Sequence, residues 1–379
     1  MNLTRRDVLK LPVAAALASS ATVRSVCAAT PYSMPGLFPA RVVGVTHSGA
    51  STDLTYQGFQ AVPIQNMIRR GMMELTGMSN YLAAWRKLFQ PGDVVGIKVC
   101  PNPVAAMGSS QWCLMEIVNG LLLAGIAPKN IVVYERYEYL LGFVKGWLPS
   151  WVRTSFATAG YYIDDQTSLT GYDPDHYVYL PQYLKSWQSP SNPLDTCSYA
   201  AQFATQQVGK IISLAVLKDH QAAGVTLNLK NISAGCVNNW NRFHDNVDAD
   251  GRTINHMYES IPAVASLPVI RNKVVLGIID GVHGLCAGGP INYADPQYGF
   301  VWPHNTMYFA TDVVAADRVG WRAIDAERVR RGMLPEESAG KDGFDNFDVR
   351  QPQHISLAGQ MGLGEWRDDQ IDFRQIVLA

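Results

Sequence analysis

Past residue 39 the chain alternates short apolar, β-branched runs with longer stretches whose apolar positions recur every three to four residues. This is the pattern of strands alternating with amphipathic helices. Residues 41–46 read as a first strand, followed by helices over about 64–75 and 81–89. Pro91-Gly92 turns the chain into 94–99, a run apolar on both faces and so expected in the middle of a sheet. Ser109 or Ser110 is placed to cap a helix over 112–124, Gly125 stops it, and 131–134 returns as a strand. Further strands are expected at 210–217 and 274–279, further helices at 314–331 and 355–361, and a last strand at 371–377.

The alternation predicts an α/β fold, with a mostly parallel central sheet and helices on both faces. One domain is expected over 30–379, interrupted over about 137–207 by an irregular aromatic-rich insertion. Tyr161, Tyr162, Tyr177, Tyr179, Tyr183 and Trp187 fall in it without periodicity. Such aromatics either pack the insertion onto the core or line a ligand site. No internal repeat is evident.

The first 29 residues read as a processing segment. Thr4-Arg5-Arg6-Asp7-Val8-Leu9-Lys10 is a twin-arginine core, an Ala-rich apolar run follows over 11–18, and Val26-Cys27-Ala28 offers small residues for cleavage. The expectation is a periplasmic or extracytoplasmic protein carried by the twin-arginine translocase. Cys27 lacks the residues of a lipoprotein box, so no lipid anchor is expected. No later run reaches the roughly 18 apolar residues that span a bilayer.

The 31 Lys and Arg nearly balance 32 Asp and Glu, and losing Arg5, Arg6, Asp7, Lys10 and Arg24 leaves 27 against 31. That balance argues against a nucleic-acid partner. Cys100, Cys113, Cys197, Cys236 and Cys286 are scattered without a CxxC pair, so neither an iron–sulfur cluster nor a structural zinc site is expected. Phosphate-cradling, dinucleotide-binding, HExxH and GxSxG motifs are absent from the sequence.

Chemistry concentrates in Leu217-Lys218-Asp219-His220-Gln221-Ala222-Ala223-Gly224-Val225-Thr226-Leu227-Asn228-Leu229-Lys230-Asn231. The stretch follows an apolar strand, so its polar side chains fall at a strand's carboxyl end, where open α/β sheets place ligands. Two lysines, a histidine, an aspartate and two asparagines around a glycine turn can bind an anion and move a proton. A solvated loop with a capping Asp accounts for the same composition. Arg242 can hold a carboxylate or pair with a neighbouring acid, and His244 follows it. Asp280 at the end of a strand can orient a histidine or cap a turn. Asp312 is expected as a helix cap. Lys98, at a central strand's end, needs a partner carboxylate or a ligand.

Gly92 to Val99 with Pro101-Asn102, Ala124-Gly125 before Ile131, Lys218 to Asn231, Asn239 to His244, Ile279-Asp280 with Gly288-Gly289-Pro290, and Thr311 to Asp317 together resemble the domain of unknown function 362 family. The resemblance spans residue 41 to the C-terminus. Many relatives carry a ferredoxin-like cluster segment, for which this chain has no cysteines. The family's usual Asn after Lys-Val is replaced by Cys100, with Asn102 nearby. The spacing from His220 to Lys230 is also similar to a stretch of nickel-pincer lactate racemases. That similarity implies a lysine that tethers the pincer cofactor and a histidine that moves a proton; the rest of that family's site is not found here.

These readings lead to an exported enzyme doing acid–base, isomerase- or racemase-like chemistry on a small polar or anionic substrate. His220, Lys230, Lys218 and Asp280 are its candidate catalytic residues, and Lys98, Asn102, Thr226, Asn231, Arg242 and His244 its candidate substrate-binding residues. The alternative is a non-catalytic periplasmic protein that binds a small ligand or a metal.

Overall fold

A computed structural model describes residues 30–102, 107–159, 168–244, 246–247, 251, 253–289, 299–338 and 350–379. The expected processing segment, Tyr161, Tyr162 and Pro290 lie outside the described residues.

The main sheet contains β1 (Arg41–His47), β2 (Val95–Lys98), β3 (Ile131–Tyr134), β4 (Arg153–Ser155), β7 (Lys210–His220), β11 (Val274–Leu285), β13 (Thr306–Ala310) and β14 (Asp372–Leu378). Their order is β14-β1-β13-β11-β7-β2-β3-β4. Pairing is parallel except where β13 runs against β1 and β11. The short strands β8 (Gly224–Val225) and β12 (Val301–Pro303) attach antiparallel to β7 and β11. The fold is thus α/β with a mostly parallel central sheet.

Helices cover both faces. On one face lie α1 (Ala61–Thr76), α2 (Tyr81–Leu88) and α3 (Gln111–Ala124). Helix α1 turns Ile64, Met67, Ile68, Met72 and Leu75 inward, the i, i+3, i+4 stripe that demands a partner surface. Ser110 caps α3 by accepting from the Cys113 amide at 3.1 Å, and Gly125 ends it at φ +99°. At Gly120 a Cβ would lie 2.0 Å from Cε2 of the buried Trp85. Gly120→Ala should therefore lower stability by about 1–3 kcal/mol through overpacking. An unchanged urea midpoint would show that α2 and α3 are not so tightly seated.

The opposite face carries α5 (Leu227–Ser233), α6 (Met257–Ala265), α7 (Val313–Arg330) and α8 (His354–Gln360). Asp312 caps α7 as expected, accepting from the Ala315 amide at 3.0 Å. Part of the stretch expected as irregular is regular: α4 (Glu138–Lys145) leads from β3 to the parallel edge strand β4. Beyond it, β5 (Tyr172–Tyr179) and β6 (Cys197–Ala201) pair antiparallel, as do the two-residue strands β9 (Asn246–Val247) and β10 (Thr253–Ile254). Tyr177, Tyr179 and Trp187 are exposed, whereas Tyr183 packs against Phe243 and stacks on His256.

All five described cysteines are buried and unbridged. Among the described residues no helix is long and apolar enough to cross a membrane.

Candidate functional site

Strand β7 runs three residues beyond its apolar run, to His220, and turns sharply into β8, where His220 pairs with Gly224. Gly224 has φ +77°, and a Cβ there would meet the Pro352 ring at 2.6 Å, so only glycine suits both the turn and the contact. The Thr226 amide then donates to the Lys218 carbonyl at 3.0 Å. Leu227 follows at φ +46°, a strained geometry for a branched side chain costing about 1–3 kcal/mol. Buried Asp317 holds it there: its carboxylate accepts the Asn228 amide at 2.8 Å, the Asn228 side-chain amide at 3.0 Å and the Leu229 amide at 2.7 Å. Helix α5 therefore starts at a fixed point beside the β7–β8 turn, which brings Lys230 to His220.

His220 is buried, and its Nδ1 accepts from the Ala222 and Ala223 amides at 3.1 and 3.2 Å. Two donors on one nitrogen place the ring proton on Nε2. His244 lies with its ring centroid 5.7 Å from that of His220 and donates to the Trp240 carbonyl, which leaves its other nitrogen as an acceptor. Burial and then Lys230 hold both imidazoles well below the usual histidine range, so both are neutral at pH 7.

Lys230 is partly exposed and makes no hydrogen bond or ion pair among the described residues. Burial, then the nearby Lys218, pull its amine down to about 7; Cys100 acts the other way, and Lys98 and Arg136 again lower it. Lys218 is buried, and its amine donates to the Asn102 carbonyl. Thr226 is buried too, and its hydroxyl has no partner among the described residues. The structure thus brings together His220, Lys230, Lys218, His244, Thr226 and Asn102.

Four other candidates are committed to the scaffold. The Lys98 amine donates to Glu135 at 2.7 Å, to the Val99 carbonyl at 2.6 Å and to Asn231 at 3.1 Å. Glu135 is the carboxylate that a buried strand-end lysine requires, and all three ammonium donors are taken. Asn231 returns its amide to the Lys98 carbonyl and to Ser213, both at 3.1 Å, and so ties α5 to the sheet rather than reaching a substrate. Arg242 is fully buried, donating to the Leu180 carbonyl at 2.7 Å and to Ser198 at 3.0 Å, so it braces the insertion.

Asp280 is not at a strand end: β11 continues to Leu285. Its side chain faces the α3 side with Ile278 and Val282, accepting the Ser110 amide at 2.9 Å and the Val282 amide at 3.3 Å. It anchors the start of α3 and does not support His220, whose Nδ1 is held by backbone.

Residues distant in sequence complete the surroundings. Arg350 donates to Asp219 at 3.2 Å and to Glu336 at 2.6 Å, all three fully buried. Lys185, from the insertion, donates to the His244 carbonyl. His354 is buried near enough to Lys230 for that charge to depress its own basicity, after burial, to about 4. Among the described residues no three His, Cys, Asp or Glu side chains converge to hold a metal ion. A covalently tethered group would find its anchor in the Lys230 amine.

No curated protein matches the chain. Among solved structures it is similar to the lactate racemase apoprotein from Thermoanaerobacterium thermosaccharolyticum, with 10% identity and a TM-score of 0.37 over 71% of this chain and 54% of that one. The chain therefore spans about half the length of that protein. The stretch that supplies the β7–β8 turn, α5, His244 and β11 matches the family model "Domain of unknown function (DUF362)" over residues 172–322.

Proposed function

We propose that the chain is an exported enzyme that moves a proton on a small anionic substrate, in isomerase- or racemase-like chemistry. The observation that carries this reading is the pair of neutral imidazoles, His220 and His244, with ring centroids 5.7 Å apart and opposite proton placement. His220 presents an N–H and serves as a hydrogen-bond donor that polarises the substrate. His244 presents a lone pair and serves as the base. A lone-pair base beside a neutral N–H that stabilises the charge developing on the substrate is an arrangement that proton transfer uses. Lys230 and Lys218 supply positive charge for the substrate, and Thr226 a free hydroxyl.

A pincer-type cofactor fits one feature of the site, the unbonded Lys230 amine, which would hold it; bound there, it would supply an electron-accepting centre beside the histidines. The assignments to His220 and His244 stand with or without it. Export by the twin-arginine translocase to the periplasm rests on Arg5-Arg6 and the apolar run behind them.

The test is deuterium wash-in at the α-carbon of small 2-hydroxy, 2-amino and 2-oxo carboxylates in D2O, followed by NMR, using protein purified from its exported pool. Wild type should exchange at least one of these, and His220→Gln or His244→Gln should slow that exchange by about 100-fold or more. Binding without exchange would replace this reading with a non-catalytic ligand-binding protein. Intact mass of the same sample reports any adduct on Lys230.

A further inference from the structure

Where the chain buries cations around the sheet, it usually supplies acids. Lys98 has Glu135 at 2.7 Å, Lys210 has Asp93 at 2.8 Å, and Arg350 has Asp219 and Glu336. Lys218 and Lys230 break this pattern. Lys218 is 2% exposed, and its amine meets a carbonyl but no carboxylate among the described residues. Lys230 meets neither. Among the described acids of the neighbouring strands, Glu135 is committed to Lys98, and Asp219 to Arg350 and the Gly289 amide.

A buried ammonium group and a partly exposed one near enough to repel it, with no carboxylate partner among the described residues, are costly, because desolvation and mutual repulsion act in the same direction. Among the described residues the Thr226 hydroxyl and Nε2 of His220 are also without a partner, both on the turn that joins Lys218 to Lys230. Asp317 holds the strained Leu227 at the start of helix α5, which fixes Lys230 relative to that turn.

We propose that the ligand of this site is a small dianion, a phosphate or a short dicarboxylate, whose two negative charges are met by Lys218 and Lys230. This rests on the reading of the site given above and deepens it: a single carboxylate would leave one of the two lysines uncompensated. Binding also draws a proton from solution. In the free protein the Lys230 amine, at about 7, is largely neutral at pH 8.5, and a dianion beside it restores its charge. The groups that set this titration are Lys218 on β7, Lys98 and Cys100 at the end of β2, and Arg136 after β3. His220, His244 and His354 face the same amine and stay neutral throughout.

The experiment is isothermal titration of the full protein with inorganic phosphate, malonate, acetate and lactate at pH 8.5, in two buffers of different ionisation enthalpy. Phosphate or malonate should bind at least about 30-fold more tightly than the monoanions, with uptake of about one proton. Lys230→Met should abolish the proton uptake, and Lys218→Met and Lys218→Gln should each weaken dianion binding about 100-fold or more. Phosphate and malonate separate the two sources of charge. Equal affinity for monoanions, full binding by a folded Lys218→Gln variant, or no binding of any anion overturns the proposal. Dianion binding without deuterium exchange would leave it standing and remove the proposed reaction instead.

Discussion

Lys230→Met raises the melting temperature at pH 6 while removing ligand binding. The folded protein holds the Lys230 amine at about 7, against 10.5 for an ordinary lysine. Between those values the unfolded chain keeps a proton that the folded chain has released, so stability rises with pH across about 7 to 10.5. Below 7 both states are protonated and the full cost of the enclosed charge is present. Methionine has no such cost, so it should gain about 1–3 kcal/mol at pH 6, the screening of a partly exposed amine included. Its gain should shrink toward pH 10. Melting curves at pH 6 and pH 9.5 check this, and a lower melting temperature for the variant at pH 6 would make Lys230 part of the scaffold.

Arg350→Met has the opposite effect. It removes the shared cation from Asp219 and Glu336, both fully buried, where water cannot take its place. Breaking a buried network in this way costs about 3–5 kcal/mol. Arg328, at 3.2 Å from Glu336, cushions only that acid. Since Asp219 adjoins His220 in the chain, binding should weaken together with stability, unlike in the Lys230 variant. A urea-derived unfolding free energy lowered by less than about 1 kcal/mol would show that the three groups are not coupled.

The sheet was legible because β2, β7 and β11 are apolar on both faces, which only an interior parallel strand requires. The core of the site was legible because Lys218, His220, Thr226 and Lys230 are contiguous, and one hairpin and one helix start suffice to gather them. Orientation was the limit. Asp280 reads as a strand-end residue until β11 is seen to continue past it, and its side chain faces the α3 side while α5 lies on the other. Arg242 reads as a ligand residue because nothing local satisfies it; its partners, Leu180 and Ser198, lie some distance back in the chain. Glu135, Lys185, Arg350 and His354 carry no motif, and their placement follows only from the packing of elements far apart in sequence. The lapse in periodicity around residue 137 concealed α4 and β4 because both are short.

The seating of Pro352 against Gly224, with His354 beside Lys230, bears on the order of events during biosynthesis. The turn that holds His220 emerges from the ribosome long before the segment that lies over it. Until translation reaches that segment, the turn at Gly224 lacks the proline ring that packs on it. The seating of the turn that carries His220 is therefore completed only once residues 350–354 have been made.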